Sequence, residues 1–111
     1  MAKDLKLVIL LDFYGGLLTE KQAEALDGYY NQDFSLAEIA QDMNISRQGV
    51  MAFLKQGEKH LRAFEEKLGL AERFSQISET MNEMKCVAEQ IKQDDKRDEM
   101  INLIDSVLKI I

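Results

Sequence analysis

The segment SLAEIAQDMNISRQGVMAFL, residues 35–54, holds the densest set of local structural signals in the chain. It opens with Ser35-Leu36-Ala37-Glu38, which is typical of a capping box, because the Ser hydroxyl accepts from the backbone N–H three residues later and the Glu side chain reaches back. Asn44 suits the left-handed conformation of a sharp turn, and Ser46 suits the cap of the next helix. The segment therefore predicts two helices joined by a turn of about three residues, the arrangement of a helix-turn-helix.

Two more helices are predicted before this segment. The first runs from Asp4 to Tyr14, and Gly15-Gly16 is expected to end it as a left-handed C-terminal cap. The second begins at the capping box Thr19-Glu20-Lys21-Gln22 and runs to about Tyr30. In the helix that starts at Ser46, one apolar stripe with alternating spacings of four and three residues is predicted to be buried. Its members are Val50, Leu54, Gly57, Leu61, Phe64 and Leu68.

After Gly69 the same four-and-three spacing returns in a predicted fifth helix. This pattern requires a partner helix, which lies either within the chain, on the sixth or first helix, or in a second copy of the protein. The sequence leaves both possibilities open. The residues of the second possibility, a dimer seam, are Phe74, Ile77, Met81, Met84 and Ile91. A sixth helix, capped by Asp94 or Asp95, is predicted to run to Ile111.

The length of 111 residues and the absence of proline predict one compact all-α domain. Its expected architecture is a helix-turn-helix core in residues 1–69, with the N-terminal helix included and without a wing, followed by a C-terminal helical extension in residues 70–111. This extension packs on the core or in a dimer seam. The longest uncharged apolar run, Leu7 to Leu11, is too short for a membrane span or a signal peptide, so a cytoplasmic location is expected.

Residues for catalysis or metal binding are scarce. His60 is the only histidine and lies on the polar flank of the fourth helix, and Cys86 is the only cysteine. These residues do not form a nucleophile–base pair or a zinc site. No phosphate-binding glycine loop is present. We therefore expect a protein that is not an enzyme and that uses no cofactor.

The N-terminal face of the fourth helix is the candidate binding site. With Val50 and Leu54 turned inward, we expect the polar side chains of this face to project together from one convex ridge. Arg47 is suited to a phosphate or a guanine edge, Gln48 to an adenine edge, and Lys55 to a phosphate. The structural alternative is three packed helices with ordinary surface charges. The candidate nucleic-acid-binding residues are Ser46, Arg47, Gln48, Met51 and Lys55.

The distribution of charge limits this hypothesis. The chain carries 20 Asp and Glu against 14 Lys and Arg. Residues 1–45 hold 3 basic and 8 acidic side chains, residues 46–68 hold 5 and 3, and residues 69–111 hold 6 and 9. Only the candidate reading helix is net basic. An excess of two positive charges is a weak attraction for DNA, since tight binders neutralise several phosphates at once.

Several separated motifs resemble the YlxM family of small bacterial proteins, whose helix-turn-helix is similar to region 4 of sigma-70 factors. They are LLTEKQ, LDGYYNQDFSLAEIA, ISRQGV and EKHLRAFEEKLGL, in that order within residues 7–75. Ser46, Arg47 and Gln48 match the family's Ser-Arg-Gln at the start of the recognition helix. The chain departs from the family pattern at Gly49, where Ala is usual, and at residues 51–53, where Met-Ala-Phe replaces a more polar Tyr-Asp-Asn run.

The resemblance implies a regulatory, DNA-binding protein linked to the signal recognition particle pathway, because genes of this family lie beside the gene for that particle's GTPase. Two hypotheses follow. In the first, the protein is a sequence-selective DNA-binding regulator that acts as a homodimer. In the second, it is an adaptor that does not bind DNA. Met51, Phe53 and neighbouring apolar residues then contact the signal recognition particle GTPase, or the basic strip contacts its RNA. No membrane partner is expected.

Overall fold

The computed structural model describes residues 3–111, and the regular structure in this range is helical throughout. The predicted all-α fold is confirmed. None of the helices within residues 3–111 has the length and apolar character needed to cross a membrane. The six α-helices are α1 (Leu5–Tyr14), α2 (Glu20–Leu26), α3 (Leu36–Met43), α4 (Arg47–Leu68), α5 (Leu70–Glu89) and α6 (Asp95–Ile110).

Side-chain caps fix where α2 and α3 begin, as the sequence predicts. The Thr19 hydroxyl accepts from the Gln22 N–H at 3.3 Å, and the Gln22 side chain accepts from the Thr19 N–H at 3.4 Å. Ser35 and Glu38 form the same reciprocal pair, with both contacts at 3.1 Å. The hydrogen bond from the Ser35 backbone holds the pKa of Glu38 below its usual value. Each box satisfies backbone donors that have no partner within the helix.

The turn between α3 and α4 also follows the prediction. Asn44 has a left-handed backbone, with φ 56° and ψ 45°, and the Ile45 N–H donates to the Ala40 carbonyl at 3.0 Å. The Ser46 hydroxyl then accepts from the Gly49 N–H at 3.0 Å and starts α4. Ile45 is half-buried and packs against the core. This geometry turns the chain within three residues and brings α4 across α3.

The predicted left-handed cap at Gly15-Gly16 is wrong. Gly15 has a right-handed backbone with φ −55°, and the chain tightens into a 3-10 turn over Gly15–Leu17. The Leu18 N–H donates to the Gly15 carbonyl at 3.2 Å. The right-handed helical hydrogen bonding therefore continues past α1 for one more turn. A second irregularity follows α2, which continues as a π-helix over Asp27–Asn31.

The chain divides into two compact units, of which the first ends at Ala71. In this unit α1, α2 and α3 all pack against α4. The predicted stripe of α4 is buried only as far as Leu61, because Phe64 is half-buried and Leu68 is 44% exposed. The largest fully buried side chains are Leu7, Leu10, Tyr14, Leu26, Val50 and Leu61.

The closest approach in this core is between α2 and α4. Gly57, which is buried on α4, lies against the Leu26 side chain of α2, which is fully buried. A Cβ atom at Gly57 would lie 2.5 Å from Leu26 Cδ1, nearer than carbon atoms can approach without a clash. The absence of a side chain at Gly57 therefore sets the distance between the two helices.

A buried hydrogen-bond network joins α1 to the junction of α4 and α5. The Tyr14 hydroxyl donates to Glu65 Oε1 at 2.5 Å and accepts from the Leu70 N–H at 3.1 Å. The same Glu65 oxygen accepts from the Ala71 N–H at 3.1 Å. At the junction Gly69 takes a left-handed backbone with φ 63° and caps α4. The network thus satisfies two free N–H groups at the start of α5.

The second unit, which begins at Glu72, contains the rest of α5 and all of α6. Ala88 and Ile104 are buried, and Lys85 pairs with Asp105 at 2.9 Å. The Asp105 carboxylate raises the pKa of Lys85. Seven large apolar residues of this unit are exposed: Ile77, Met84, Val87, Ile91, Met100, Leu103 and Ile110. The proposed division at residues 69 and 70, and the packing of the extension, stay predictions.

Candidate nucleic-acid interface

The first turns of α4 present the polar side chains that the sequence analysis selected. Arg47 and Gln48 occupy the first turn and are exposed, and Lys55 is exposed two turns further on. Val50 and Leu54, between them in sequence, are buried, with exposures of 0% and 3%. The helix therefore holds one face in the core while Arg47, Gln48 and Lys55 face solvent.

These side chains line a shared open depression of about 560 Å³. It unites four of the five predicted binding residues, namely Arg47, Gln48, Met51 and Lys55. Leu36 at the start of α3 also lines this open depression, so residues of two helices form the surface. The expected convex ridge stays a prediction. Ser46 does not line the depression, since its hydroxyl oxygen is used to cap α4.

Two further residues line this depression, Leu36 and Ala52, and neither was predicted from the sequence. Ala52 follows Gln48 by four residues and therefore falls on the same helical face, so its position was available from spacing. Leu36 belongs to α3, and only the packing of α3 on α4 brings it to the site. Leu36 and Met51 are half-buried against the core, which gives the depression a fixed apolar floor.

The charged residues that line the depression are both basic, Arg47 and Lys55. None of its lining residues carries a carboxylate. Within residues 3–111 neither Arg47 nor Lys55 forms an ion pair, so both charges are available to a ligand. Acidic side chains of this unit gather instead in separate depressions around Phe34, lined by Glu24, Asp27, Glu38 and Asp42.

Basic residues continue along α4 beyond Lys55, but their surroundings differ. Lys55, Lys59 and Arg62 line a second depression together with Glu58 and Glu66. Arg62 also lies 3.7 Å from the Asp4 carboxylate. These carboxylates offset part of the positive charge, so the first depression is the better site for an anion.

The described part of the chain offers little for catalysis. Residues 3–111 contain no group of three or more His, Cys, Asp or Glu side chains placed to hold a metal ion. His60 is an exposed residue of α4, and Cys86 is an exposed free cysteine on α5. The candidate binding groups that lie close together are those of the depression around Arg47, Gln48 and Met51.

Comparison with known proteins agrees with this geometry. Residues 1–104 match the family UPF0122, described as "Putative helix-turn-helix protein, YlxM / p13 like". The chain belongs to the UPF0122 family. The resemblance identified from the sequence motifs and the helix-turn-helix fold are thereby confirmed.

Relatives in the UPF0122 family cover most of the chain. A UPF0122 protein of Thermoanaerobacter sp. (strain X514) is 41% identical over 105 residues, which is 95% of this chain and 90% of the relative. One from Halalkalibacterium halodurans is 39% identical over 105 residues, which is 95% and 94% of the two chains. A third, from Acetivibrio thermocellus, is 54% identical over 76 residues, which is 68% and 65%.

Proposed function

We propose that this UPF0122 protein is a regulator that binds duplex DNA through its helix-turn-helix and acts in the signal recognition particle pathway. The observation that carries the DNA-binding part is the depression at the start of α4, where Arg47, Gln48 and Lys55 converge without a carboxylate. The pathway rests on the resemblance to the YlxM family alone. A cytoplasmic location belongs to the same proposal.

Each side chain has a separate role in this proposal. α4 enters the major groove with its N-terminal turns, because these are capped, rigid and free of bulky acidic groups. Lys55 and Arg47 neutralise phosphates or, for Arg47, donate two hydrogen bonds to a guanine edge. The Gln48 amide pairs with an adenine edge. Affinity then comes mainly from charge, and selectivity from Gln48 and Arg47.

Replacing Arg47 and Lys55 together with alanine is expected to weaken binding to mixed duplex DNA about tenfold at low salt. Each lost phosphate contact also removes about 0.9 from the slope of log affinity against log salt. The slope of the double variant should therefore be shallower by between about one and two units. Fluorescence anisotropy of a labelled duplex across a salt series measures both quantities.

The matched control is Lys6→Ala with Lys21→Ala, which removes the same charge from exposed positions outside the depression. It should change the salt slope by much less than the double variant in α4. Wild-type protein that does not bind duplex DNA at low salt would contradict the proposed function. Equal loss in both double variants would show that net charge, and not this site, governs binding.

The adaptor hypothesis draws on a different property of the same depression. Leu36, Met51 and Ala52 give it an apolar floor that would suit a protein side chain. Phe53 does not line the depression, and like Met51 it is half-buried against the core. In this case purified signal recognition particle GTPase, or its RNA, binds the protein and duplex DNA does not. Both partners can be added to the same anisotropy assay.

A homodimer is part of the proposal because a two-fold symmetric regulator contacts two half-sites. Three of the proposed seam residues are exposed, Ile77 at 41%, Met84 at 45% and Ile91 at 44%. Phe74 and Met81 are half-buried. Repeated exposed apolar residues at heptad spacing favour a partner helix.

We expect wild-type protein to sediment as a dimer and Met84→Glu to raise the dimer dissociation constant at least tenfold, since it places a charge in an apolar seam. Analytical ultracentrifugation over a range of concentrations measures this constant. Asn82→Glu adds the same charge at an exposed position of α5 outside the stripe and should leave the dimer intact. A monomeric wild type at high concentration would rule out the seam.

A further inference from the structure

We infer that the depression at the start of α4 reads thymine, by packing the 5-methyl group of the base against Met51 and Ala52 while Gln48 binds an adenine no more than two base pairs away. This inference rests on the proposed function and gives the site its base preference. It concerns two side chains that have no role in the attraction of phosphates.

The composition of the depression is the first support. Leu36, Met51 and Ala52 present alkyl groups, and no carboxylate stands among the lining residues. In the major groove, thymine is the base that displays a methyl group, and apolar side chains are the ones that contact it. Cytosine displays an amino donor at the neighbouring edge position, for which Ala52 has no acceptor and Met51 only a weakly accepting thioether sulfur.

The spacing along α4 is the second support. Gln48 and Ala52 are four residues apart and share one helical face, which separates them by about 6 Å along the helix axis. Successive base pairs are about 3.4 Å apart along the DNA axis, so a separation of about 6 Å keeps the two side chains within two base pairs of each other. An amide that reads adenine therefore lies beside an alkyl group that reads thymine.

The charges around the depression determine which class of ligand enters it. Arg47 and Lys55 are exposed, form no ion pair within residues 3–111, and flank the apolar floor on the same face. A polyanion with an apolar group on its accessible edge would bind both the two basic residues and the apolar residues of this surface. DNA rich in A·T pairs has this chemistry, whereas RNA lacks the methyl because it contains uracil.

The test compares thymine with deoxyuridine, which differ only in the methyl group. Wild-type protein is first used to enrich binding duplexes from a randomised DNA library. The enriched pool is then copied once with thymidine and once with deoxyuridine, and the affinity of the protein for each copy is measured. We expect the thymine copy to bind at least about fourfold more tightly, the factor that corresponds to ~0.8 kcal/mol for one methyl-sized group removed from water.

Variants assign the effect to the residues named. Ala52→Ser places a hydroxyl group where the methyl packs, so the ratio of the two affinities should fall towards one. Ala63→Ser makes the same change at an exposed position of α4 outside this depression and should keep the wild-type ratio. Lys55→Gln should weaken binding to both copies equally. Circular dichroism confirms that the three variants keep their helix content.

The outcomes separate the inference from the proposed function. Equal affinity for the two copies, with binding retained, would overturn thymine reading and leave the DNA-binding proposal standing. A thymine preference that Ala52→Ser does not reduce would overturn the assignment to this depression. Failure of the wild-type protein to enrich or bind any duplex would overturn both.

Discussion

Gly57→Leu is expected to lower the free energy of unfolding by about 3 kcal/mol or more, the upper end of the cost of overpacking. Even the first added atom, Cβ, would lie 2.5 Å from Leu26 Cδ1 and 3.3 Å from Leu26 Cγ. Leu26 is fully buried, so a shift of its side chain would press it against other residues of the packed core. The larger side chain must therefore push α2 away from α4 and disturb the core that supports the helix-turn-helix. Denaturant unfolding followed by circular dichroism measures the change.

Gly57→Ala tests the same contact at smaller scale. Overpacking costs about 1–3 kcal/mol, and the better helix propensity of alanine offsets up to about 1 kcal/mol of this. Gly16→Ala is the matched control, because a Cβ atom at Gly16 would meet nothing within 4 Å and the backbone there is not left-handed. Its effect should be near zero or slightly stabilising. Equal stability of the two alanine variants would contradict the proposed close approach.

Tyr14→Phe is expected to lower the free energy of unfolding by about 1–3 kcal/mol. The change keeps the buried ring but removes a hydrogen bond to the Glu65 carboxylate and takes the acceptor away from the Leu70 N–H. Tyr14 is 1% exposed, so a phenylalanine ring keeps the packing while the Glu65 carboxylate and the Leu70 N–H lose a partner. Tyr30→Phe is the control, since Tyr30 makes a similar bond to Glu58 at 2.7 Å but is only half-buried. It should destabilise the protein less.

The same network makes stability depend on alkaline pH. Burial, followed by the hydrogen bond to Glu65, raises the pKa of Tyr14 above the ordinary value of 10.0. The fold therefore favours the neutral phenol. Its contribution is fully present below pH 10.0, the pKa in the unfolded chain, and is lost as pH rises through the higher pKa of the folded state.

Unfolding at a series of pH values between 8 and about 12 should thus show stability falling more steeply in wild type than in Tyr14→Phe. Tyr30, whose pKa is also raised by burial and by Glu58, remains in both proteins and gives the shared part of the fall. Identical pH profiles for wild type and Tyr14→Phe would show that the Tyr14 hydroxyl is not held as described.

Local signals predicted much of this fold, because they need only a few neighbouring residues. The caps at Thr19, Ser35 and Ser46 and the left-handed Asn44 each depend on hydrogen bonds within four residues, and all four are confirmed. The left-handed cap predicted at Gly15 was wrong because it rested on the residue type alone. A glycine is compatible with a left-handed backbone but does not require one.

Features that join distant segments were not predictable in this way. Tyr14 and Glu65 are 51 residues apart, and nothing in either local pattern links them. The glycine at position 57 appeared as one member of an apolar stripe, whereas its importance comes from Leu26 on another helix. In the candidate site, spacing indicated Arg47, Gln48, Met51 and Lys55, but the contribution of Leu36 required the position of α3.

The separation of acidic and basic depressions in the first unit has a consequence for how the protein would approach a nucleic acid. With a net charge of −6, the molecule is repelled by a polyanion at long range. At short range the field of the phosphates acts on Arg47 and Lys55 and on the carboxylates around Phe34 in opposite directions. The charge pattern would therefore favour approaches in which the start of α4 faces the phosphates, and the net repulsion would make such approaches infrequent.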